Sequence, residues 1–111
     1  MMVKYRGADI HFTSHGSGNP LILLHGFMES SRIWEPFLPT LCEHRQVVCI
    51  DLPGHGESGC FNEIHSMEDM AKAVKEVLWH LEIEKAAVAG HSMGGYVSLE
   101  LNKIFPTLLK V

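Results

Sequence analysis

The sequence predicts an α/β fold, a mostly parallel sheet of about five strands with three helices. Three observations carry this. Leu21-Ile22-Leu23-Leu24 and Val47-Val48-Cys49-Ile50 are unbroken apolar runs, as expected of central strands covered on both faces. Segments with helical start signals or helical spacing stand between and after the apolar runs. A third apolar run, Ala86-Ala87-Val88-Ala89, leads through a glycine-flanked serine into another helix-like stretch.

Each element has its own signal. Ile10 and Phe12 alternate with His11 and Thr13, as in a half-exposed strand. A short strand over 3–5 pairs with it across the turn-forming Arg6-Gly7-Ala8-Asp9. Gly16-Ser17-Gly18-Asn19-Pro20 is a loop. Ser30 or Ser31 can cap a helix running to about Leu41 through Ile33, Trp34, Phe37 and Leu38. Pro36 suits its first turns and Pro39 disturbs its end. Ser66-Met67-Glu68-Asp69 resembles a capping box. The helix behind it sets Met67, Met70, Val74, Val77, Leu78 and Leu81 on one face. The last helix spans roughly 95–105. The resulting order, β-β-β-α-β-α-β-α, implies an α/β arrangement with right-handed crossovers in its later part.

The chain of 111 residues holds one domain at most, 46% hydrophobic and 20% charged. A net charge of −4 without a basic run argues against nucleic acid or anionic membrane as partner. No stretch approaches a membrane span, and the start has no signal-peptide core. Cys42, Cys49 and Cys60 lack C-x-x-C spacing. Cys49, in a β-rich run, reads as a buried free thiol. A reducing cytoplasm is the expected location.

The chemistry centres on Gly90-His91-Ser92-Met93-Gly94, a G-x-S-x-G between strand and helix. That context makes a nucleophile elbow, whose turn is tight enough to project the serine hydroxyl from the strand end. Glycines on either side allow the backbone to approach closely. Ser92 is the candidate nucleophile, and it needs a base to act. Acyl transfer places negative charge on a carbonyl oxygen, which two backbone N–H donors can hold. The candidates are Met93, after the nucleophile, and Phe27, in the loop His25-Gly26-Phe27-Met28. His25 is expected to shape that loop by hydrogen bonding, Asp51 to bond loop backbone, and His91 to point away from Ser92.

Two patterns are decoys. Gly54, Gly56 and Gly59 spell G-x-G-x-x-G, but Pro53 intervenes and the next helix starts near Met67, so no helix N-terminus is placed for a pyrophosphate. His55, Cys60 and His65 lack a recognised zinc spacing and an obvious fourth ligand. No metal and no organic cofactor are expected. Trp34 and Trp79 are core or helix-face residues by default, and Glu82-Ile83-Glu84-Lys85 is a solvated connection.

Three motifs in order resemble the α/β-hydrolase superfamily, in its serine-nucleophile branch: His25-Gly26-Phe27, Asp51-Leu52-Pro53-Gly54-His55-Gly56-Glu57-Ser58, and Gly90-His91-Ser92-Met93-Gly94-Gly95. The resemblance implies that residues 1–111 are a single partial domain, the N-terminal half of the fold or less. It lacks the C-terminal strands, the cap, the catalytic acid and the catalytic histidine. After Ser92 the chain offers Glu100 as an acid and no histidine. The family's triad order places both partners after the nucleophile. The implied activity is hydrolysis of a small acyl or carbonyl substrate through an acyl-enzyme, with the chain alone inactive. A serine in this position counts against the haloalkane dehalogenase and epoxide hydrolase branches, which use aspartate. The strand over 86–89 becomes an exposed edge, inviting self-association or a complementing C-terminal segment. A non-catalytic module associating through that edge is the alternative.

Overall fold

A computed structural model describes residues 1–60 and 66–108. Five strands form one sheet: β1 (Met2–Tyr5), β2 (Ala8–His15), β3 (Asn19–Leu24), β4 (Arg45–Ile50) and β5 (Ala87–Gly90), in the spatial order β1-β2-β4-β3-β5. The β-β-β-α-β-α-β-α order expected from the sequence is present. The sheet is mixed rather than mostly parallel. β3 runs parallel to both β4 and β5, while β1–β2 and β2–β4 are antiparallel. A two-residue turn can only reverse the chain, and Arg6 and Gly7 have φ of +51° and +83°, the left-handed pair such a hairpin requires.

Side-chain alternation in β3 and β4 divides the core between two faces. Ile22, Leu24, Val48 and Ile50 pack under α2 (Met67–His80) and α3 (Met93–Ile104), with Val74, Val77, Leu78, Val97 and Leu101. Leu23, Val47 and Cys49 face the opposite layer, where Trp34, Leu38 and Leu41 cover them. Each fully buried aliphatic side chain contributes about 1.5–3 kcal/mol, so the two α2–α3 helices hold the larger share of the core.

The first helical layer differs from the continuous helix expected. Ser30 caps a 3₁₀ segment, Ser31–Phe37, its hydroxyl accepting the Arg32 N–H at 3.3 Å. A single α-turn, α1 (Leu38–Leu41), follows. Pro36 and Pro39 remove two N–H donors within four residues, which breaks the i to i−4 ladder into two short pieces. α2 starts as its capping signal indicates: Ser66 Oγ accepts the Asp69 N–H at 3.0 Å. Met70, Val74, Val77 and Leu78 are buried on its face, and Met67 and Leu81 pack against them in part. Trp79 stands on the outer face, 74% exposed. α3 begins two residues before the expected start, because the chain enters helical geometry directly after Ser92. Among the described residues, no helix is long and apolar enough to cross a membrane.

Among the described residues, β5 pairs with β3 alone, and its Ala89 and Gly90 are exposed. The chain passes from β3 outward to β4 and then returns to the other side of β3 for β5. Such a reversal leaves a crevice at the carboxyl ends of the strands, where open α/β sheets bind ligands.

Candidate active site

Three loops leave that end of the sheet. β3 leads into His25–Glu29, β4 into the loop beginning at Asp51, and β5 into His91 and Ser92. Leu24 pairs with Ile50 on one side and Gly90 on the other, so the loops begin level with one another.

Ser92 has φ +55° and ψ −112°. A non-glycine residue in that region is held against a backbone strain of about 1–3 kcal/mol. Its surroundings hold it there. His91 N–H donates to the Leu24 carbonyl at 2.9 Å, and Gly94 N–H donates to the His91 carbonyl at 3.0 Å. A side chain at Gly94 would collide with the Leu24 and His25 carbonyls, and one at Gly90 with the backbone of Gly94 and Gly95. Strand, turn and helix meet with only hydrogen atoms between them. Ser92 is exposed and its side chain makes no capping bond.

The loop after β3 turns tightly at Gly26. Glu29 N–H returns to the Gly26 carbonyl at 3.2 Å, and Met28 takes φ +62°. Phe27 and Met28 are 67% and 81% exposed. Among the described residues, the N–H groups of Phe27 and Met93 have no hydrogen-bond partner. They are two open donors beside the carboxyl ends of β3 and β5.

His25 is fully buried and shapes its loop, as expected. Its Nδ1 lies 2.8 Å from the Gly26 carbonyl and its Nε2 2.9 Å from the Leu52 N. Leu52 can only donate, so Nε2 is the bare nitrogen and Nδ1 carries the proton. Burial pushes the His25 pKa down, against the pull of the Gly26 hydrogen bond. A neutral ring with both nitrogens engaged cannot serve Ser92 as a base. The His25 and His55 rings lie 5.1 Å apart, and Phe27 meets His55 edge-on at 5.7 Å.

Asp51 also bonds loop backbone. Its Oδ1 accepts the Ser31 N–H at 2.8 Å and its Oδ2 the Glu57 N–H at 3.1 Å. Burial raises the Asp51 pKa, but these bonds and the contacts with Ser31 and His11 side chains outweigh it and hold the carboxyl below its ordinary value. Gly56 curls over this carboxylate at φ +52°, and any side chain there would strike it. Gly54 N–H closes on the Gly59 carbonyl at 2.8 Å. The three glycines therefore build a loop around a carboxylate, and no helix opens at them.

His11 is a site residue that the sequence did not single out. Its Nδ1 lies 3.1 Å from Asp51 Oδ2 and its Nε2 3.1 Å from Glu57 Oε2. Strand alternation alone places it on the outward side of β2, and nothing in its neighbours announces the two carboxylates. His11, Asp51 and Glu57 are the one group among the described residues with ligand atoms close enough for a metal, within 4.8 Å. Both Asp51 oxygens are already occupied by backbone N–H groups, so the trio holds together as a hydrogen-bonded network. It borders a groove of about 570 Å³ with His15, Arg32 and Glu35. That groove lies beside β2 and β4, across β3 from Ser92. Of the sequence-derived ligand candidates, His55 bonds the Pro53 carbonyl region at 3.1 Å and Cys60 is exposed, while His65 lies outside the described residues.

His91 does point elsewhere than its neighbour's hydroxyl: its Nδ1 meets Glu29 Oε1 at 2.9 Å. Glu29 is the second residue that sequence reasoning passed over.

The model of the alpha/beta hydrolase fold family matches residues 19–110, and the chain belongs to that family. It is 43% identical over 89 residues to the dihydrolipoyllysine-residue acetyltransferase component of the acetoin cleaving system of Pseudomonas putida, covering 80% of this chain and 24% of that protein. It is 38% identical over 92 residues to a soluble epoxide hydrolase of a Corynebacterium species, covering 83% of this chain and 32% of the relative. A solved structure of an N-acyl homoserine lactone degrading enzyme superposes with TM-score 0.95 at 30% identity, over 98% of this chain and 42% of that one. The chain thus spans between about a quarter and two fifths of the length of these relatives.

Proposed function

We propose that this chain is the nucleophile-bearing part of a serine hydrolase acting on a small ester-like substrate. The observation that carries the reading is the strained backbone of Ser92, φ +55° at a strand–helix junction closed by Gly90 and Gly94. Strain of this kind is retained where it aims a reactive group. Ser92 Oγ attacks the substrate carbonyl while a base takes its proton. The N–H groups of Phe27 and Met93 receive the charge on the oxygen. The base then gives that proton to the leaving oxygen, expulsion of the alcohol leaves an acyl-serine, and water, deprotonated by the same base, releases the acid.

The base is a histidine outside these 111 residues, oriented by an acid also outside them. Of the described histidines in the three loops around Ser92, His25 is neutral and fully bonded, His55 Nδ1 meets the Pro53 carbonyl, and His91 is engaged by Glu29; His11 on β2 is engaged by Asp51 and Glu57. The partial domain therefore has little turnover by itself, and its natural complement is a C-terminal segment supplying strands, acid and base. No cofactor enters the reaction. The epoxide hydrolase relative is weighed against this by the residue in the elbow, which here is serine.

The test is reaction of the protein that includes the base-supplying segment with an activated alkyl phosphonate, read by intact mass and peptide mapping. A single adduct at Ser92, lost in Ser92→Ala, supports the reading. An unmodified Ser92 in a folded protein refutes it.

A second reading rests on the exposed edge of β5 together with Tyr96 and Leu99 of α3, each 68% exposed. Here the chain is a non-catalytic module that associates through the edge. Concentration-dependent association without any phosphonate adduct would select it.

A further inference from the structure

We infer that Glu29 is a positioning residue that fixes the two oxyanion donors, Phe27 and Met93, relative to each other; the inference rests on the proposed role of those two amides. Oε1 of Glu29 accepts two hydrogen bonds, from Gly26 N–H at 2.7 Å and from His91 Nδ1 at 2.9 Å. Gly26 immediately precedes one donor, and His91 stands two residues before the other. One carboxylate oxygen thus joins the loop after β3 to the elbow after β5, across a sequence separation of 62 residues.

His91 is a firm anchor for this link. Its backbone N–H is bound to β3 through the Leu24 carbonyl, and its carbonyl receives Gly94 N–H at the start of α3. The loop is the weaker partner. Phe27 and Met28 are largely exposed, Met28 is in the left-handed region, and the backbone closure from Glu29 to Gly26 is long at 3.2 Å. His25 holds the Gly26 carbonyl and Phe27 touches His55 edge-on, but neither contact ties the loop to the elbow, and the carboxylate supplies that constraint. The fit is close: a Cβ built on Gly26 would lie 2.6 Å from Glu29 Oε1, 3.1 Å from the His91 carbonyl and 3.2 Å from His91 Nδ1. Hydrogen bonds from His91 and from the Gly26 backbone hold the Glu29 carboxyl below its ordinary range. The ionised group can only accept, so His91 Nδ1 carries the shared proton. Donors that stabilise one developing charge must be held to within about 0.5 Å of their productive positions, and neither loop alone meets that demand.

The experiment measures phosphonylation of Ser92 in the complete gene product, comparing wild type with Glu29→Ala, Glu29→Gln, His91→Ala and the double alanine variant. Glutamine retains an acceptor oxygen at the same place, so Glu29→Gln is expected to react within about threefold of wild type, while Glu29→Ala slows about tenfold. His91→Ala slows the reaction at least about threefold but by no more than Glu29→Ala, and the double variant matches Glu29→Ala, because both changes remove one shared link. Where an ester is turned over, the loss falls on kcat and leaves KM in place. A wild-type rate in Glu29→Ala, or multiplicative losses in the double variant, overturns the inference and leaves Ser92 as the nucleophile. Absence of any Ser92 adduct in the wild type removes both. Should Glu29→Ala fail to fold, His91→Ala decides the matter, since it leaves the bond from Gly26 N–H in place: a wild-type rate in that variant overturns the inference.

Discussion

The Leu52 backbone N–H donates to Nε2 of His25 at 2.9 Å, joining the loop after β4 to the loop after β3. The bond exists only while that nitrogen is bare. Protonating His25 replaces an acceptor with a second donor, aimed at an N–H inside the core.

This makes stability sensitive to mild acid. Burial sets the folded pKa of His25 below its ordinary value of 6.5. Between the two values the unfolded chain binds more protons, so lowering the pH favours unfolding. The contribution is complete above 6.5, falls as pH drops below it, and levels off beneath the folded value. Asp51, whose folded pKa also lies below the ordinary 3.8, adds a further loss as pH falls past that point. Urea midpoints measured across this range are expected to show two descending steps, with the upper one absent in His25→Asn.

Replacing Ser92 with glycine is expected to stabilise the protein by about 1 kcal/mol, because glycine occupies φ +55° without the steric penalty of a Cβ. The same change removes the phosphonate target. Thermal denaturation and adduct mass, measured on one sample, test both halves. Equal or lower stability in Ser92→Gly would show that the elbow is unstrained.

Gly94→Ala tests the opposite limit. The added methyl meets the Leu24 and His25 carbonyls, which belong to the central strand and its loop and have no room to move. A loss of about 2–3 kcal/mol is expected, read from chemical denaturation. Gly7→Ala, where nothing lies within 4 Å, has only its φ of +83° to contend with and serves as the comparison.

The three thiols should separate by rate. Burial pushes Cys49 up to about 11, whereas Cys60 is exposed. Near neutral pH, iodoacetamide is expected to modify Cys60 first and Cys49 only on unfolding, as mass mapping over time would show. Prompt alkylation of Cys49 would mean that the sheet opens locally between β4 and the layer above it.

Much of this architecture was legible because its signals are local. Apolar runs located β3, β4 and β5, Ser66 located the start of α2, and the glycines around Ser92 located the elbow. His25 and Asp51 could be assigned to loop shaping because each ends a buried strand, where backbone groups need partners. The mixed character of the sheet was harder to see, since β2 could neighbour either of two apolar strands and chooses β4. The division of the first helix followed from two prolines whose joint effect exceeds that of either. His11 and Glu29 were missed for a common reason. Each depends on a partner at least 40 positions away, and short-range periodicity carries no information about such a partner.

The level ends of β3, β4 and β5 bear on how proteins of this design can diversify. Because Leu24, Ile50 and Gly90 share one register, the strands act as a common baseline from which each loop starts afresh. Residues can be inserted beyond Gly59 without moving the other two loops, whereas the segment beyond Met28 is tied to both of them through Glu29 and Ser31. A single residue added within β3 would shift its pairing with both neighbours and turn its side chains to the wrong face. Variation is therefore channelled outward, into the loops at the carboxyl ends of the strands, while the three strands beneath them remain fixed in length.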